Sequence, residues 1–185
     1  LKSLDEKVGK LMVFVSPISD GQLEAMAKGV DALKRWIKKT NAVVIYDSSH
    51  DPFTGESLFS QVKGKANVAV IALTTDGDVF GGFYSKPVTE QDKEYDDLDT
   101  FIFSFESHGR CQTPRRFEQK YFEHDEPFVV FWKNNKSGWF VDFGVGGFSG
   151  FSLGNTSSNT GCYDLSEGFE GLENTTLTGK SDDGK

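Results

Sequence analysis

The chain has 185 residues, which fits one domain with an extension or at most two small domains. Its net charge of −8 is unevenly spread: residues 1–41 hold 8 Lys/Arg against 5 Asp/Glu, and residues 42–185 hold 12 against 23. An acidic body repels phosphate backbones, which argues against nucleic-acid binding, and no apolar run approaches the roughly 20 residues of a membrane-inserted helix.

Residues 1–41 read as a helical extension. Leu1, Leu4, Val8, Leu11 and Val15 alternate steps of three and four, the spacing of a coiled-coil seam. Pro17 interrupts that stripe. Ser19 and Gln22 then form a capping box for a second helix, whose apolar stripe is Leu23, Met26, Val30, Leu33 and Ile37. Oligomerisation through these N-terminal helices is one expectation. The basic run at 34–39 sits where a helix C-terminus favours cations.

From Asn41 the period changes. Val43 to Tyr46 reads as a short buried strand, and Thr54 caps a short helix through Phe59 and Val62, with Phe53 and Leu58 in staple positions. Residues 68–74 form an apolar β run, and Asp76-Gly77 turns it back through residues 79–84 as a hairpin. Phe101, Phe103 and Phe105 alternate along one face, which places them inside a sandwich. Residues 128–132 and 139–143 make a second hairpin around 134–138. The Gly144–Gly150 stretch then leads as a loop into a strand at 151–153, and after Gly154 the composition reads mostly as loop. With 17 Phe against 5 Tyr and 3 Trp, the interior is expected to be dry. The expected fold is α+β: a two-sheet antiparallel β-sandwich over 42–185, flanked by helices and preceded by the helical extension of 1–41.

Taken in order, four stretches resemble the TLDc domain of the oxidation-resistance protein family. They are residues 45–58, Thr74-Thr-Asp-Gly-Asp-Val-Phe-Gly-Gly-Phe-Tyr-Ser-Lys-Pro87, Asp99-Thr-Phe-Ile-Phe-Ser-Phe105 and Phe143-Gly-Val-Gly-Gly-Phe148. The similarity spans roughly residues 42–180. Three departures stand out. Val88 occupies a position where the family often has Trp, Asp51-Pro52 follows His50 where Gly is frequent, and a terminal strand is expected beyond Lys180. The resemblance implies a protein-interaction module in protection against oxidative stress, with the vacuolar proton-pumping ATPase as a partner of several members. It implies no agreed reaction, and the sequence itself offers no cofactor loop.

The residues themselves carry little chemistry. Ser48, Ser49, His50 and Asp51 suggest a triad, but neighbours in one loop rarely supply nucleophile, base and orienter together, and turn chemistry explains them. Glu118 and the acidic run 123–126 match neither a calcium loop nor a zinc signature, and His108 stands alone in a loop. Gly81-Gly82 marks a bulge or a crossing point. Gly144, Gly146 and Gly147 lack the Lys-Ser/Thr ending of a phosphate loop. Cys111 and Cys162 form no disulfide framework. Cys111, beside Arg110 and near Arg115 and Arg116, is a candidate oxidant sensor, because cations favour the thiolate.

The loop tips at His50 and Asp51 and at Gly144, Gly146 and Gly147 are therefore the expected partner-binding surface, since function concentrates on loops of rigid scaffolds. The competing classes are an enzyme, peroxide-consuming or hydrolytic, and a carbohydrate- or lipid-binding sandwich. No secretory signal opens the chain, so a cytoplasmic location is expected. A start at Leu1 suggests a piece of a longer protein.

Overall fold

The computed structural model describes the backbone of residues 8–14 and, in full, residues 19–120, 126–133, 138–146, 150–154 and 161–180, with the backbone of Ser149. Two sheets form a sandwich. The larger has the strand order β2-β1-β3-β4-β6-β7 and the smaller β11-β10-β9-β8-β5. In chain order the elements are β1 (Val8–Phe14), α1 (Asp20–Trp36), β2 (Asn41–Asp47), α2 (Gly55–Val62), β3 (Val68–Leu73), β4 (Val79–Tyr84) and β5 (Tyr95–Asp96). There follow β6 (Phe101–Glu106), β7 (Arg115–Phe117), β8 (Pro127–Phe131), β9 (Trp139–Val145), β10 (Ser149–Gly154), β11 (Gly161–Tyr163) and α3 (Leu165–Gly168).

The smaller sheet is antiparallel throughout, as is the β3-β4-β6-β7 part of the larger one. The expected sandwich is thus present, with one addition. β1 lies between β2 and β3 and runs parallel to both, so β1-α1-β2 is a βαβ crossover. This corrects the helical reading of the first stripe. Residues 8–14 carry two valines and a phenylalanine, a composition that suits a pleated surface, and pairing on both sides outweighs helical spacing. Leu1, Leu4 and Val15 lie outside the described residues.

The second helix forms where its signals place it. Ser19 Oγ accepts from the Gln22 amide at 3.2 Å, and Gln22 Oε1 accepts from the Ser19 amide at 3.1 Å, a complete capping box. Thr54 caps α2 in the same manner, accepting from the Ser57 amide at 3.1 Å. After Gly154 the chain is more structured than its composition suggests: β11 joins the smaller sheet, and Leu165, Phe169, Leu172 and Leu177 are buried.

Two cores result, one on each face of the larger sheet. Between the sheets pack Val68, Val70, Phe80, Tyr84 and Ile102 from one side and Val129, Phe131, Val141, Phe143 and Phe151 from the other. On the outer face α1 covers Ala69, Ile71, Phe83, Phe101, Phe103 and Phe105. The three alternating phenylalanines are therefore buried under the helix, not between the sheets. Period two locates a common face but does not say which layer covers it.

Gly81 and Gly82 serve clearance. The β3–β4 ladder runs unbroken through both, and the register shift against β6 falls earlier, between Val79 and Phe80. A Cβ on Gly82 would lie 2.6 Å from the Phe143 ring, so this glycine lets an aromatic of the opposite sheet rest on backbone.

Candidate functional site

The loop after β2 is a locked turn. The His50 and Asp51 amides both donate to the Asp47 carbonyl, at 3.0 and 2.7 Å, and Asp51 Oδ2 accepts from the Asp47 amide at 2.8 Å. Asp47 Oδ1 accepts from the Ser49 amide at 2.9 Å and from the Ser49 hydroxyl at 2.7 Å. The Ser49 bond, with help from the neighbouring His50, holds the Asp47 carboxyl below the usual carboxylate range. Tyr46, at the base, donates to the Pro52 carbonyl at 3.2 Å; burial and the adjacent Asp51 and Asp47 charges push its phenol up to about 12. The carboxylates are thus bound up in shaping the turn. His50 is left at the tip with 82% of its side chain exposed, and Phe53 is 44% exposed while resting edge-on against Phe140 at 4.9 Å.

The same geometry bears on catalysis. Ser49 Oγ and Asp47 Oδ2 both approach His50 Nδ1, at 2.8 and 3.1 Å. A triad requires the acid on one ring nitrogen and the nucleophile on the other, and here both share one. The Ser49 proton is directed to Asp47.

The glycine stretch is divided. Gly144 is not in a loop: it is a buried strand residue of β9, opposite Gly150 in β10 and Phe128 in β8. A Cβ on Gly150 would fall 1.7 Å from the Phe143 carbonyl oxygen, so the strands approach too closely for any side chain there. Gly146 forms the turn, with a φ of 62°. Gly147 lies outside the described residues.

Cys111 is half-buried, with Sγ 3.3 Å from Ser107 Oγ, and it lines an open cleft of about 310 Å³ with Arg110, Arg115, Glu173, Thr175 and Thr176. Arg110 does not lean on the thiol. It pairs with Asp78 and donates to the carbonyls of Thr176 at 3.1 Å and Leu177 at 3.0 Å. Asp78 is 1% exposed, and its burial went unforeseen because Asp76-Gly77-Asp78 reads as a plain turn. Arg115 and Arg116 lie over the rings of Phe117 and Phe101.

His108, expected to stand alone, brings Nε2 within 2.9 Å of the Asp76 carbonyl. Glu118 pairs with Arg116, and the acidic run at 123–125 lies outside the described residues. Among the described residues no group of three or more metal-ligating side chains converges, and no helix is long and apolar enough to cross a membrane.

Two packed sheets, with a turn after β2 whose carboxylates bond its own backbone, make a β-sandwich domain. The model of the TLDc domain matches residues 22–183, most of the chain, and the chain belongs to that family. No curated protein matches it.

Proposed function

We propose that this TLDc domain acts stoichiometrically, as a protein-interaction module in protection against oxidative stress, with the turn at 47–54 as its contact surface. The observation that supports this reading is the way that turn is held. Its carboxylates are engaged by backbone amides, while the His50 ring and half of Phe53 are offered outward on a fixed frame. A preorganised tip with an aromatic and an imidazole loses little entropy on binding. Of the two glycines described in the second expected surface, Gly146 can contribute at a tip and Gly144 cannot, being buried in the sheet.

The partner proposed is a large protein assembly, and the vacuolar proton-pumping ATPase is the first to test. In co-sedimentation with membranes bearing that enzyme, the wild-type chain should be retained. His50→Ala and Phe53→Ala should each weaken retention while leaving the fold intact. A parallel incubation with excess hydrogen peroxide and with generic ester substrates addresses the enzyme reading. Turnover beyond one equivalent per chain, abolished by a single substitution, would overturn the stoichiometric reading.

A further inference from the structure

The larger sheet ends on β2, whose far side has no neighbouring strand among the described residues. At seven residues β2 is longer than the other three edge strands, β7, β5 and β11. An edge strand presents backbone N–H and C=O groups away from its sheet, and proteins blunt such edges with charges, prolines or brevity. β2 has none of these along its middle: Asn41-Ala-Val-Val-Ile-Tyr-Asp47 holds no lysine, arginine or proline. Its centre is apolar and open, with Val43 46% and Val44 57% exposed.

Register assigns these valines to opposite faces. Val43 is level with Lys10 and through it with Val68, which packs between the sheets, and Val44 is level with Leu11 and Ala69, which packs under α1. Both faces of the sheet therefore end on an exposed valine. Along β2 the pairing with β1 shifts once, between Leu11 and Met12, which leaves Ile45 as the extra residue, after the valine pair.

Charge along the strand is polarised. Lys34, Arg35 and Lys38 lie just before it and Asp47 and Asp51 at and after its other end. A strand that is basic at one end, apolar in the centre and acidic at the other is complementary to itself when reversed. We infer that β2 is a self-association edge. Two copies of this chain pair their β2 strands antiparallel about Val44, joining the two six-stranded sheets into one continuous sheet.

In that arrangement the Lys38 end of one copy meets the Asp47 end of the other. Val44 faces the second copy's Val44 across a two-fold axis on the α1 side, and Val43 faces its Ile45 on the other side. A parallel pairing would bring like charges together at both ends. The net charge of −8 opposes association in general, so the local complementarity fixes the orientation. A seven-residue strand gives a contact only about 24 Å long, so the dimer is a weak, concentration-dependent one.

The test is sedimentation of the 185-residue chain over a concentration series, with Val44→Lys as the disrupting variant. The expected result is a monomer–dimer equilibrium at low salt. Val44→Lys should raise its dissociation constant about tenfold or more with unchanged circular dichroism, and 0.5 M salt should weaken it (about a 4–5 Å screening length). A second arm reads geometry. In a Cys111→Ser background, mild oxidation of Val44→Cys should give an intermolecular disulfide. Leu23→Cys, of comparable exposure (53%) on α1, should not. A chain that stays monomeric at every concentration overturns the inference. So does a dimer indifferent to Val44→Lys, or equal cross-linking at Leu23.

Discussion

Gly29 tests how closely α1 rests on the sheet. It lies in the middle of a 17-residue helix, where alanine is preferred over glycine by about 1 kcal/mol on propensity alone. The fold predicts the opposite sign. A Cβ at this position would stand 2.1 Å from Phe105 Cγ and 2.2 to 2.5 Å from the two adjacent ring carbons. Those atoms cannot swing aside. The Phe105 ring is stacked on Phe103 at 4.5 Å and flanked by Trp36 at 6.4 Å, and the residue is 3% exposed. Relief requires the helix to lift by more than an ångström along a whole buried face. Overpacking of this kind costs typically about 1–3 kcal/mol, and the overlap here belongs at the top of that range. After the propensity gain, Gly29→Ala should destabilise by about 2 kcal/mol, lowering Tm by about 4–8 °C for a chain of this size. Gly21→Ala is the control: in the same helix, its nearest neighbour is Ser19 Oγ at 3.9 Å, and it should hold or raise Tm. Both are read by thermal and urea denaturation. A Gly29→Ala chain as stable as Gly21→Ala would refute the close packing of α1 on β6.

Asp97 is 1% exposed and accepts from the Ser85 hydroxyl at 2.9 Å and from the amides of Lys86 at 3.1 Å and Asp99 at 3.2 Å; Asp97→Ala should cost about 3 kcal/mol or more in a urea titration, and a loss below 1 would show that the bonds are replaceable. Burial raises the Asp142 carboxyl above its ordinary value, against the opposing hydrogen bonds of Ser152 and Trp132. Between the unfolded value near about 3.9 and that raised value the native state binds the extra proton, so this group makes stability fall as pH rises through the window. Asp142→Asn keeps an acceptor for Trp132 Nε1 and should flatten that part of the urea-midpoint profile; superimposable profiles would contradict it. Cys111 is half-buried and Cys162 is 5% exposed, so a thiol reagent should consume one equivalent quickly from the native chain and the second only on unfolding.

Much of the sandwich was legible because its signals are local. The Ser19–Gln22 capping box, the Thr54 cap and the Asp76-Gly77 turn each need only a few neighbouring residues, and each formed as read. What failed was decided by distant partners. The 8–14 segment matches a helical stripe, yet its register is set by strands that begin at Asn41 and Val68. Phe101, Phe103 and Phe105 alternate correctly, but the layer over them is a helix some 70 residues earlier in the chain. At the proposed contact surface, His50 and Asp51 were identifiable as loop residues. That Asp51 shapes the turn while His50 is displayed depends on side-chain direction, which composition does not carry.

The turn at 74–78 has a bearing on synthesis. It receives Gln22 from 52 residues upstream, Arg110 from 32 residues downstream and Lys180 from 104 residues downstream, and Arg110 in turn grips the Leu177 carbonyl 67 residues beyond itself. A ribosome emits these clamps in order. While the first hairpin is already outside, Asp78 waits without its guanidinium, and the 176–180 segment that completes the clamp emerges about a hundred residues later. The hairpin can form early, but its final anchoring waits for residues 176–180, and nascent chains stalled short of Leu177 should be cleaved near this turn by proteases that spare the folded domain.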